Sequence, residues 1–153
     1  MLETIGHLDE NTIDGLRKLI HINIDSAKGF EIAASKIENN HIAQFFRDCG
    51  TRREANAAVL GRYVEWNNQN PPESGTVSGT LHRWWLELRD IVQNGSELAI
   101  LTEAERGEDA IKGEYETVLK STAGSPLNRI LQEQYFTVKA DHDAIREMRD
   151  LRR

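Results

Sequence analysis

Residues 96–121 read SELAILTEAERGEDAIKGEYETVLKS. Ser96 is a helix-capping residue type, and behind it apolar side chains recur three and four apart at Leu101, Ala104, Ile111, Tyr115 and Val118. That period writes one apolar stripe along a helix; the alternation of a strand is absent. A helix of ~25 residues is about twice the usual length and spans ~40 Å. With one apolar face, it needs partners as long as itself. Glu108 interrupts the stripe squarely, and Glu105 lies at its margin. A carboxylate in mid-stripe points to a polar feature at the middle of the assembly.

The punctuation on either side supplies the partners. Downstream, Gly124-Ser125-Pro126 restarts the chain with serine as cap and proline at the first helical position, which predicts a helix over 126–151. Upstream, Asn94-Gly95 closes a shorter helix over 77–93, preceded by a loop with Pro71-Pro72. Two further long helices are predicted over 12–38 and 41–68, the first capped at Asn11-Thr12 and the two parted by Asn39-Asn40. The short breaks at 39–40 and 122–125 make two antiparallel hairpins. The longer connection, with a helix of its own, lets the second and third long helices run parallel. The expected fold is all-α: a single domain over 1–153, built as a ferritin-like up-down four-helix bundle with a short crossover helix.

Composition narrows the function classes. The 153 residues are 39% hydrophobic and 29% charged with three prolines, which is globular and helix-friendly. A net charge of −6 argues against a broad nucleic-acid or anionic-membrane surface. The basic C-terminus, Arg146, Arg149, Arg152 and Arg153, reads as cations offsetting a helix dipole. Cys49 is the single cysteine, so no intramolecular disulfide forms. The first residues, Met1 to Ile5, lack the basic region and apolar run of a signal peptide, and no apolar stretch approaches the ~20 residues that span a bilayer. A cytoplasmic protein without a nucleic-acid or membrane partner is expected, with a homo-oligomer as the partner class left open.

Placing residues at 100° per step locates the inward polar groups. The first helix buries Leu16, Leu19, Ile20, Ala27, Phe30, Ala34 and Ile37, with Asn23 central, Glu31 on the flank and Asp25 pointing away. The second buries Phe45, Cys49, Val59, Leu60 and Tyr63, with Asn56 central and Arg53 beside it. The fourth presents Leu127, Ile130, Leu131, Val138, Ile145 and Met148, with Gln134 and Asp141 central and His142 at the edge. Counting equally outward from each hairpin break brings residue 23 opposite 56, and 108 opposite about 138. Asn23, Arg53, Asn56, Glu108, Gln134 and Asp141 therefore form one structural polar layer at mid-bundle, in which Arg53 and Glu108 make an ion pair.

Four stretches carry a family resemblance: Asp25 to Ala34, Gly79 to Trp85, Glu105 to Asp109, and His142 to Asp150. Together they resemble the PA2169-type DUF2383 family of bacterial ferritin-like proteins of unknown function. The resemblance implies the ferritin-like fold and brings no established activity. Ferritin-like di-iron proteins place a Glu on each of two helices and Glu-x-x-His on each of the other two. Here the second helix has Arg53-x-x-Asn56, the fourth has no Glu-x-x-His, and only Glu108 matches in type and position. A guanidinium stays protonated at any accessible pH and repels a cation. No cofactor is therefore predicted; if iron or manganese binds, Glu31, Glu108, Asp141 and His142 are the ligands to consider.

The remaining constellations read as structure. His82-Arg83-Trp84-Trp85 pins the crossover helix to the bundle, His7, His21 and His41 lie on the surface, and Cys49 is a small buried hydrophobe. Gly29 and Gly107 admit the close approach of the crossover helix. The expected function is that of a non-catalytic bundle acting through oligomer or partner surfaces. An association with stress comes only from the company the family keeps. The alternative is a metalloprotein with iron-oxidation or peroxide chemistry at the mid-bundle site.

Overall fold

The computed structural model describes residues 3–72, Asp90 and 96–153. Four helices organise them: α1 (Glu10–Lys36), α2 (Asn40–Trp66), α3 (Glu97–Ser121) and α4 (Asn128–Asp150). Among the described residues there is no strand, only an isolated bridge between Thr4 and His7. The crossover helix expected over 77–93, with its His82 to Trp85 cluster, lies outside the described residues apart from Asp90.

Local chemistry sets the ends. Asn39 caps α2 by accepting from the backbone N–H groups of His41 and Ile42, and Ser96 caps α3 by accepting from Ala99. Two starts differ from expectation. α1 begins at Glu10, before Asn11-Thr12, because those side chains serve other partners. Asn11 donates to the Ser121 carbonyl at the end of α3, and Thr12 donates to Glu3. The Glu3 carboxylate also accepts from the Asp9 N–H, which ties the preceding segment to the start of α1, while no side chain caps the first-turn N–H groups. α4 begins at Asn128, two residues beyond Pro126: Ser125 accepts from the Leu127 N–H, and residues 126–127 form a turn that leads in.

α1 packs against α2 and also against α3, while α3 packs against α4. Cross-helix contacts fix the directions. Arg17 reaches Gln69 and Asn23 meets Asn56, so α1 and α2 are antiparallel. Gly15 abuts Val118 and Ser26 reaches Glu108, so α1 and α3 are antiparallel too. Glu97 meets Arg152 and Tyr115 meets Gln134, which makes α3 and α4 antiparallel. Being antiparallel to the same helix, α2 and α3 run in the same direction.

Among the described residues the core divides into two apolar clusters. One gathers Phe30, Ile37, Ile42, Phe46, Cys49, Leu101, Ala104 and Ile145 near the α1–α2 break. The other gathers Leu16, Leu19, Ile20, Leu60, Val64, Ile111, Val118, Leu127, Leu131 and Val138 at the far end. The face of α2 is turned from the one expected: Phe46 and Val64 are fully buried, whereas Phe45, Val59 and Tyr63 are half-buried. Phe45 lies partly under the Arg52 guanidinium, whose carbon is 5.8 Å from the ring centroid, so its ring covers polar surface at the core's rim. Ile130 and Met148 are likewise half-buried. Asp25, expected to point away, is buried.

Candidate functional site

Between the two apolar clusters every helix contributes polar side chains. Asn23 and Ser26 come from α1, Arg53 from α2, Glu108 and Tyr115 from α3, and Gln134 and Asp141 from α4, all buried. They fall into a charged half and a neutral half.

Arg53 governs the charged half. Its Nη2 is 2.5 Å from Glu108 Oε2 and 3.0 Å from Asp141 Oδ2, and its side chain is fully buried. Arg52, one position on, reaches in from a half-exposed site and grips Asp141 with Nε at 3.1 Å and Nη2 at 2.8 Å. Two guanidinium groups thus face two carboxylates, and their formal charges cancel. Ser26 Oγ lies 3.4 Å from the other Glu108 oxygen, and the Phe30 ring centroid is 5.8 Å from the Arg53 guanidinium carbon. Arg53 Nε and Nη1 make no hydrogen bond among the described residues. Burial opposes the charge on Arg53, yet Glu108 and Asp141 hold its pKa above the ordinary value. For Glu108 burial prevails: the carboxyl is pushed up against the opposing pull of Arg53. Glu108 is therefore the member of the pair whose charge is easier to remove.

The neutral half is a hydrogen-bond chain through Tyr115. Its hydroxyl accepts from Asn23 Nδ2 at 2.8 Å and donates to Gln134 Oε1 at 2.7 Å. Gln134 Nε2 donates to the Asn56 carbonyl at 3.4 Å, and Asn56 Nδ2 lies 3.5 Å from Asn23 Oδ1. The Asn23 amide also donates to the Leu19 carbonyl within its own helix. Burial raises the Tyr115 hydroxyl far beyond the usual phenol range, so it remains a neutral bridge.

Of the six residues expected in one layer, the structure joins Arg53 with Glu108 and Asp141, and Asn23 with Asn56 and Asn56 with Gln134; Gln134 and Asp141, seven residues apart on α4, stand about two turns from each other. On α2 the centre is Arg53, and Asn56 is only half-buried. Tyr115, Ser26 and Arg52 join these sets as well, although the helical pattern alone does not point to them. Two of the residues considered as metal ligands stand outside. Glu31 is exposed beside a shallow groove with Arg47 and Glu54. His142, expected at the edge, is buried and turns to a different neighbourhood, 2.7 Å from Asp109 and 3.6 Å from Glu105. Its Nδ1 lies 3.0 Å from Asp143, and that hydrogen bond holds the Asp143 carboxyl below the usual range. Cys49 is buried against the charged half and its thiol is pushed well up, mainly by burial, so it is no nucleophile.

The donors at mid-layer do not fit a di-iron centre. Glu108 and Asp141 offer carboxylates, but a guanidinium occupies the space between them, and no imidazole of the layer stands ready.

Residues 11–121 match DUF2383, a domain of unknown function. The chain belongs to the DUF2383 family. The match runs from the second residue of α1 to the last residue of α3, so it spans the positions of Asn23, Arg53 and Glu108 and stops short of Gln134, Asp141 and His142 on α4. The fourth resembling stretch, His142 to Asp150, falls beyond it. No curated protein matches this DUF2383 chain.

Proposed function

We propose that this DUF2383 protein is a non-catalytic ferritin-like bundle whose mid-bundle layer sets helix register and whose work is done by its surfaces. The observation that carries the reading is the Arg53 guanidinium paired with both Glu108 and Asp141 in the bundle interior. A fixed positive charge stands where a ferritin-like protein would gather carboxylates around iron, and it consumes the carboxylates that are present. Iron oxidation or peroxide chemistry at this level would require Arg53 to leave and two buried anions to face each other. The antiparallel α1–α2 and α3–α4 hairpins, with α1 against α3, support the ferritin-like assignment.

A layer of this kind penalises slippage. Sliding one helix by a turn would strand a buried charge against apolar side chains, at a cost of several kcal/mol. Work through surfaces, as a homo-oligomer and in a stress response, completes the proposal. Trp66, Phe136 and Leu151 are large apolar side chains left 58%, 65% and 84% exposed, and they are available to such a contact. No described helix is long and apolar enough to cross a membrane.

The test is aerobic oxidation of added Fe(II). The protein should oxidise it no faster than buffer does. Saturable, stoichiometric oxidation that Glu108→Ala abolishes would overturn the reading in favour of a metalloenzyme.

A further inference from the structure

A second polar cluster lies off the central layer, between α3 and α4. Glu105 and Asp109 are four residues apart on α3 and so share one face. The antiparallel α4 brings His142 opposite them. His142 Nε2 is 2.7 Å from Asp109 Oδ1 and 3.6 Å from Glu105 Oε1, and ligand atoms of the three residues lie within 4.8 Å of one another. We propose that Glu105, Asp109 and His142 form a site for a single divalent transition-metal cation of the zinc or manganese class.

The imidazole supplies the first argument. His142 is 4% exposed, and its Nε2 has no hydrogen bond of acceptable geometry despite the nearby oxygens. Its other nitrogen, Nδ1, faces Asp143 Oδ1 at 3.0 Å. An ionised carboxylate only accepts, so the ring proton belongs on Nδ1. With one proton on the ring, Nε2 points a bare lone pair at two carboxylate oxygens. Acceptor facing acceptors is repulsive, and a cation in that gap turns the repulsion into ligation. A histidine whose far nitrogen donates to a carboxylate is the usual arrangement around a bound metal, because it fixes both tautomer and ring orientation.

The surroundings supply the second. Arg149 pairs with Glu105 Oε2, which balances one charge and leaves Oε1 turned toward the imidazole. Asp109 is 59% exposed at its side chain, so the cluster has a route to solvent and room for water to complete a coordination sphere. One imidazole with two carboxylates is a mixed nitrogen and oxygen set, suited to zinc or manganese and unlike the all-oxygen sets of magnesium and calcium. Bonds of ~2.0–2.2 Å let one ion reach all three atoms after modest side-chain rotation. A cation here would clamp α3 to α4 at the edge of the bundle, without disturbing Glu108, which faces Arg53.

The experiment uses the full chain, stripped with a chelator and titrated calorimetrically with Zn²⁺, with thermal unfolding followed in parallel. One equivalent should bind and raise the midpoint, and Mg²⁺ at the same concentration should not. Asp109→Asn, at an exposed position that leaves the far-UV circular dichroism unchanged, should weaken binding at least about tenfold, and Asp143→Asn should weaken it by about 10–100-fold. Glu31→Gln should have no effect. A ring carrying both protons would satisfy the same geometry without a metal; absence of Zn²⁺ binding would show that and overturn the proposal. Binding unchanged by Asp109→Asn, or matched by Mg²⁺, would overturn it equally. The outcome is independent of the Fe(II) assay, which reports on Glu108.

Discussion

Arg53 on α2 and Glu108 on α3 meet across the bundle at 2.5 Å, with side chains 0% and 1% exposed. The pair is not closed on itself. Asp141 is shared between Arg53 and Arg52, so each carboxylate has a different reserve of positive charge.

That asymmetry fixes the outcome of a double-mutant cycle. Arg53→Met leaves Glu108 buried with no cation among its described ion-pair partners, while Asp141 keeps Arg52. Removing one partner of a buried pair costs about 3–5 kcal/mol, and Arg53→Met should fall in that range. Glu108→Leu should cost less, because Arg53 keeps Asp141. The double variant should recover much of the loss. Urea unfolding of the four proteins measures the coupling, and additive effects would mean that the pair does not act as one unit.

Glu108 also predicts a direction for pH dependence. Burial holds its folded pKa above the ordinary 4.5, so the folded protein keeps this proton to higher pH than the unfolded chain does. Stability from this group is therefore greatest in acid and declines as pH rises from about 4.5 through the raised folded value. Glu108→Gln lacks the titration. The stability of the wild type minus that of Glu108→Gln should fall with pH across the window. A rise instead would mean that the pull of Arg53 outweighs burial.

Two glycines inside helices should respond oppositely to alanine. A Cβ at Gly15 would meet Val118 Cγ1 at 2.9 Å, and Val118 is a buried, β-branched side chain with little freedom to turn. The clash outweighs the gain in helix propensity, and Gly15→Ala should lose about 0.5–2 kcal/mol. At Gly113 no atom of the described residues lies within 4 Å of the added carbon, and Gly113→Ala should gain about 0.5–1 kcal/mol. Thermal unfolding of both variants checks the pair of signs.

Much of the architecture is local and could be read one helix at a time. The stripe Leu101, Ala104, Ile111, Tyr115 and Val118 is buried as its period requires, and Asn39 and Ser96 cap where capping residues should. Glu108 on an apolar face marked the level of the layer, since a carboxylate there is costly without a partner at the same height. Side-chain reach and helix rotation were not local. Arg53 and Asn56 lie only 60° apart on a wheel, and what puts Arg53 at the centre is where α3 and α4 place Glu108 and Asp141. Arg52 enters because a long side chain carries its charge inward from the rim, which a wheel of Cβ directions cannot express. Asp25 is buried although the wheel turns it away from the apolar stripe of α1, so the period of one helix does not decide its burial. The meeting of Glu105, Asp109 and His142 depends on the register of α4 against α3, set by packing along the whole length of both helices and written in no single segment.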